Sequence, residues 1–129
     1  REGHSVWRMD LSSRRIEPVA GTGKAGYSNG SSKTCAFNGP KGMAAGNRGD
    51  FFVADTETQV IRRIETASGT ISTVAGSGPE ARGFGGDGGP ALEARLDRPH
   101  GITVDRKTGI LYIGDTNNHR IRRVRFGVR

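Results

Sequence analysis

The chain has 129 residues, of which 33% are apolar and 21 are glycine, and its 20 Lys and Arg against 13 Asp and Glu give a formal charge of +7. So much glycine argues against a helical bundle and suits short strands joined by tight turns, and no apolar run approaches membrane-spanning length. The single cysteine, Cys35, excludes an internal disulfide and leaves the redox compartment open.

In chain order, the alternation of β-branched and aromatic residues between turn signals predicts strands over 5–10 and 15–20. A glycine-rich loop over 21–40 follows. A set of four strands is then predicted at 41–46, 51–56, 60–65 and 70–75, a second glycine-rich loop over 76–99, and three more strands at 100–105, 110–115 and 119–125. The breaks Arg106-Lys107-Thr108-Gly109 and Thr116-Asn117-Asn118 are too short for parallel crossovers, so the strands form antiparallel meanders. Within the second loop, Pro90 to Leu96 is expected to make a short helical turn with Leu92 and Leu96 on one side. Both loops contain a G-x-G-x-x-G pattern, Gly21 to Gly26 and Gly83 to Gly88, but neither is followed by a helix, so neither reads as a dinucleotide site. Asn29-Gly30-Ser31 fits the glycosylation triplet and is also a turn signal.

The meanders repeat. Pro40-Lys41-Gly42 parallels Pro99-His100-Gly101, Asp55-Thr56 parallels Asp115-Thr116, and Ile61-Arg62-Arg63-Ile64 parallels Ile121-Arg122-Arg123-Val124, at offsets of 59 to 60 residues. Upstream, Ile16 to Gly23 parallels Ile71 to Gly78, and Val6-Trp7-Arg8-Met9 parallels Ile61 to Ile64, at 55. A four-stranded unit at this period is the blade of a β-propeller, which closes with roughly 4–8 blades. The predicted organisation is an all-β partial propeller of antiparallel four-stranded blades, with outer strands of one blade in 1–20, a complete blade in 41–75 and the first three strands of the next in 100–126. About two blades cannot close a ring, so the expectation is an excerpt of a longer propeller, with assembly between copies as the alternative.

Repetition also assigns roles. Gly42 and Gly101 sit where inner strands crowd the axis and a side chain would not fit. Asp55 and Asp115 end the second strand, where each is expected to accept hydrogen bonds from backbone N–H groups of its own turn. Occurrence once per unit favours structure over catalysis. The third strand concentrates charge: Arg8, Arg63 and Arg123 share one parity, Arg62 and Arg122 the other. One reading is a ladder of one arginine per blade, paired with an acid or carbonyl of the adjacent blade. The other is a phosphate-binding stripe. His4, Gln59 and His119 are in phase, and glutamine in that series argues for a hydrogen-bonding turn residue over a metal ligand. His100 is the histidine that could face a central channel. Asp87, amid glycines, is a weak candidate cation ligand. No nucleophile set, paired carboxylates, metal-ligand spacing or cofactor motif is found.

The run Leu111-Tyr112-Ile113-Gly114-Asp115-Thr116-Asn117-Asn118-His119-Arg120-Ile121-Arg122, after Pro-x-Gly, closely resembles the NHL repeat, with Asn118 and His119 at the first two named positions. The segment Val74 to Gly78 followed by Gly85 to Ala91 resembles the family's inter-repeat connection. The middle copy departs, with Glu57-Thr58-Gln59 and a loop lacking the GDGGPA run. The resemblance implies a propeller, usually six-bladed, that acts as a binding platform. Some such propellers bind RNA on a basic face, and related ones are metal-dependent lyases or lactonases. The leading expectation is a non-enzymatic interaction module for a protein or other macromolecule, completed by remaining blades, without a cofactor and without membrane insertion. RNA or polyanion binding through Arg8, Arg62, Arg63, Arg122 and Arg123, and a fragment of a metal-dependent enzyme using His100, are the alternatives. Tyr27, Tyr112, Phe84 and Trp7 are the rings available for base stacking, with Trp7 expected to pack.

Overall fold

The computed structural model describes residues 3–126 and is all-β apart from four single-turn 3-10 segments. Strand β1 (Val6–Met9) pairs antiparallel with β2 (Ile16–Ala20). A second sheet contains β3 (Gly30–Ser31), β4 (Pro40–Ala45), β5 (Asp50–Asp55), β6 (Val60–Glu65) and β7 (Thr70–Ala75), in the order β3-β7-β6-β5-β4. A third contains β8 (Pro99–Val104), β9 (Leu111–Asp115) and β10 (Arg120–Val124), in the order β10-β9-β8. Among the described residues the outer edge of β10 carries no strand.

Three local features differ from the sequence reading. Strand β3 lies inside the first predicted loop, where Gly30 and Ser31 pair with Ile71 and Thr70. Its formation needs Gly30 at φ 116, which a residue with a side chain rarely adopts. The turn in the second loop is a 3-10 segment, Ala91–Glu93, and its leucines part company: Leu92 is exposed while Leu96 is buried. A three-residue turn advances too little to align them. Trp7, expected to pack, is 54% exposed, its indole N–H donating to Ser5 Oγ.

The sheets stack face to face through two apolar layers. Val6, Ala20, Cys35, Phe37, Val53, Ile64 and Ile71 fill the space between the first and second sheets. Phe52, Ala54, Ile61, Ala75, Leu96, Leu111, Ile113 and Val124 fill that between the second and third. Strand alternation explains the division, because Phe52 and Ala54 point one way and Val53 the other. Ile61 is fully buried in the second layer, whereas Ile121, at the matching position of the third sheet, is 74% exposed.

Inner strands β4 and β8 run so close that a Cβ on Gly42 would lie 2.1 Å from the His100 carbonyl oxygen. Gly101, its counterpart, has no neighbour within 4 Å of that position. Gly42→Ala is therefore expected to destabilise the fold by about 1–3 kcal/mol, as overpacking does, and Gly101→Ala to stay within about 0.5 kcal/mol. Urea titration of the two variants checks this.

Candidate binding surface

The arginine pairs of β6 and β10 each divide into an internal and an outward member. Arg62 is 0% exposed. Its Nη1 donates to Asp55 Oδ2 at 2.8 Å and to the Ala36 carbonyl at 2.8 Å, its Nη2 to the Ser28 carbonyl at 2.6 Å, and its Nε to Asn29 Oδ1 at 3.2 Å. Arg122 repeats the arrangement. Its Nη1 donates to Asp115 Oδ2 at 3.0 Å and the Arg95 carbonyl at 2.6 Å, and its Nη2 to the Gly85 carbonyl and Asp87 Oδ1. Each guanidinium also lies over an aromatic ring of the incoming loop, Arg62 over Tyr27 and Phe37, Arg122 over Phe84. Its planar fork of donors suits several fixed acceptors at once, as a lysine ammonium would not.

These partners correct the adjacent-blade expectation: the acid comes from the arginine's own sheet and the carbonyls from the connection leading into it. The aspartates likewise do not rely on N–H groups of their own turn. Asp55 Oδ1 accepts from the Asn38 N–H at 2.9 Å, and Oδ2 from the Thr58 hydroxyl at 2.7 Å. Asp115 accepts from the Asp97 N–H and from Asn118 Nδ2. Burial pushes the Asp55 carboxyl above its ordinary range, against the lowering effect of Thr58, the Asn38 N–H and Arg62. Asp87 faces the Arg122 guanidinium at 2.7 Å, which places a positive charge where a cation would have to sit. Among the described residues no group of three His, Cys, Asp or Glu side chains is arranged to hold a metal ion.

Residues His4, Gln59 and His119 all adopt positive φ, 43, 61 and 55 respectively. His4 Nδ1 accepts the Gly39 N–H and Gln59 Oε1 accepts the Arg98 N–H, in each case from the residue just ahead of the next inner strand. They thus tie one sheet to the next. The His119 side chain is exposed at the third sheet.

The outward arginines are Arg8, Arg63 and Arg123. Arg8 pairs with Glu17 across the strand, and Arg63 with Asp50 at 2.7 Å and Glu65 at 2.9 Å. Arg123 is exposed. Burial pushes the Asp50 carboxyl up, but the hydrogen bond and charge of Arg63 outweigh it and hold it below the ordinary carboxylate range.

On the rim where the inner strands begin, Lys41 Nζ and His100 Nε2 lie 2.9 Å apart. His100 Nδ1 faces the Arg98 carbonyl at 2.7 Å, so the ring proton belongs on Nδ1 and Nε2 accepts from the lysine. Arg98 is engaged by Glu57. On the opposite rim a groove of about 290 Å³ opens between the turns at 46–50 and 107–109. Sequence reasoning grouped the arginines as one stripe. Parity alone does not separate the buried members, because Arg62 and Arg122 share a face with Ile64 and Val124 while Arg63 and Arg123 share theirs with Ile61 and Ile121.

Residues 96–124 match the family model of the NHL repeat. NHL repeat-containing protein 2 of Bos taurus is 27% identical over 92% of this chain, and that of Homo sapiens 26% identical over the same share. Teneurin-4 of Homo sapiens is 38% identical over 64% of the chain. The chain spans about a fifth of the length of NHL repeat-containing protein 2, 19%, and 3% of teneurin-4. Among solved structures, an auxiliary nutrient binding protein of Bacteroides thetaiotaomicron superposes with a TM-score of 0.78 at 29% identity, over 95% of this chain and 32% of that one. A protein of unknown function from the same organism superposes at 0.83 with 24% identity, over 95% of this chain and 30% of that one. The fold and the repeated clamp define a β-propeller segment. Residues 96–124 are an NHL repeat, and the chain is similar over most of its length to NHL repeat-containing proteins.

Arg62→Ala strands the buried Asp55 carboxylate and is expected to cost about 3–5 kcal/mol, whereas Arg8→Ala, in an exposed pair, is expected to cost less than about 1 kcal/mol. Denaturant melts of both variants test the contrast. Because the folded Asp50 carboxyl is depressed, its stabilising contribution is present above the unfolded value, about 3.9, and is lost as pH falls through and below it. Between pH 5 and pH 3 the wild-type chain should therefore lose urea resistance more steeply than Asp50→Asn.

Proposed function

We propose that the chain is part of a non-enzymatic binding module that engages a protein partner through the rim bearing Lys41 and His100. The carrying observation is the convergence of these two side chains from equivalent positions of consecutive inner strands, 2.9 Å apart, at the start of β4 and β8. An acidic side chain of a partner would find there an ammonium held in place by the His100 ring. The family resemblance and the nutrient-binding structural relative support a binding role.

Two observations weigh against the polyanion reading. The guanidinium groups of Arg62 and Arg122 are occupied internally, and the rings of Tyr27 and Phe84, which would stack bases, lie against those same arginines. Removing two cations and two rings leaves few of the groups that single-strand recognition needs.

The test is affinity capture with mass spectrometry on the wild-type chain, Lys41→Glu/His100→Glu and, on the opposite rim, Arg15→Glu/Arg106→Glu. A captured protein should be lost with the first double variant and retained with the second. The reverse pattern contradicts the proposal. So does tight, salt-sensitive binding of a single-stranded RNA 20-mer, with a Kd below about 10⁻⁶ M, the tight end of non-specific association.

A further inference from the structure

Two hairpin turns face each other on the rim opposite Lys41 and His100. One, at 46–49, joins β4 to β5, and the other, at 106–109, joins β8 to β9. Asn47 Nδ2 donates to the Arg106 carbonyl at 3.1 Å and so holds the two turns at a fixed spacing. The first wall of the groove between them is bare by necessity, since a Cβ on Gly46 would lie 2.0 Å from Asp50 Oδ1 and 3.0 Å from the Phe52 ring. Gly109 stands on the second wall at φ 73, a conformation that side chains rarely adopt. The space of about 290 Å³ that these glycines leave is floored by Phe52, Val104 and Phe126, with the two phenylalanine rings stacked 5.5 Å apart.

Charge selects among the molecules that would fit. Arg48 and Lys107 stand at the lip, both exposed, and among the described residues neither forms an ion pair. The nearby acids are committed elsewhere. Asp50 is 6% exposed and held by Arg63 Nε at 2.7 Å. Asp105 Oδ1 accepts the N–H groups of Lys107 at 2.9 Å and Thr108 at 3.4 Å. The groove thus sets two unneutralised cations, one from each sheet, above an apolar floor. A neutral apolar ligand would leave both cations without a partner, and an inorganic anion would leave the floor in water. A small organic carboxylate meets both demands, and the volume, at the lower end of the roughly 300–1,000 Å³ of ligand pockets, sets its size.

We infer that this groove binds a small organic carboxylate, with its anionic head between Arg48 and Lys107 and its apolar body on Phe52, Val104 and Phe126. Because the cations belong to consecutive sheets, the bound anion also links the second sheet to the third. The groove lies on the rim opposite Lys41 and His100, so it stands apart from the function proposed above.

The test is an amide-resolved NMR titration of the full chain with phenylacetate, phenylacetamide and acetate. Phenylacetate should shift the amides of Asn47, Arg48, Lys107 and Thr108 saturably, with a Kd of about 1 mM, the scale open to a ligand of roughly ten non-hydrogen atoms. Phenylacetamide keeps the shape and drops the charge, and should bind about three- to tenfold more weakly, as the loss of two exposed ion pairs implies. Acetate lacks the apolar body and should bind at least about tenfold more weakly than phenylacetate. In Arg48→Gln/Lys107→Gln, changed at two exposed positions, acid and amide should bind alike. Absence of saturable shifts at the four amides up to about 10 mM phenylacetate, equal affinity for acid and amide in the wild-type chain, acetate binding as tightly as phenylacetate, or a preference for the acid that survives the double variant would each overturn the proposal.

Discussion

A guanidinium buried beneath a glycine-rich connection is the constraint on which the rest of this structure depends. The long segments between sheets have little secondary structure of their own, and their backbone carbonyls must find donors once they are covered. In the second and third sheets one arginine, Arg62 or Arg122, supplies those donors, with the aspartate that ends the preceding strand supplying the compensating charge. Among the described residues no buried side-chain nitrogen or oxygen lacks a partner. A buried ion pair by itself is weak evidence of stability. Here its worth is geometric, because the Asp55 carboxylate also takes the Asn38 N–H and so fixes where the chain turns into β4.

The second constraint is transverse. Inner strands approach too closely for a side chain at Gly42, and Gln59 and His4 reach across to the backbone just ahead of the next inner strand. Together with the apolar layers, these contacts orient successive sheets about a common axis. The same three elements recur on the far side of the third sheet as Gly101, Ile121 and His119, all exposed. The repeating unit is thus a sheet that both receives and presents one interface, a physical statement of why such arrays close into rings.

Much of this was legible in the sequence because the repeat period is long and its strands alternate. Duplicated Ile-Arg-Arg and Asp-Thr runs defined the strands, their antiparallel order and the family resemblance. Other features were not legible. Nothing in Tyr27 to Asn38 shows that Gly30 and Ser31 join a sheet, since that pairing is made with residues some forty positions away. Parity does not tell the inward arginines from the outward ones, since both faces of the third strand carry an aliphatic residue, and many of their acceptors are main-chain carbonyls, which carry no sequence signal. Likewise, Lys41 and His100 are unlike residues at matching positions, so only coordinates bring their nitrogens together.

Native-state hydrogen exchange on the wild-type chain and Arg62→Met tests the central claim most directly. If the guanidinium holds the connection, the amides of Gly26, Ser28 and Ala36 should lose more protection in the variant than those of β4 and β5. Unchanged protection at these three amides, or uniform loss across the second sheet, would contradict the account.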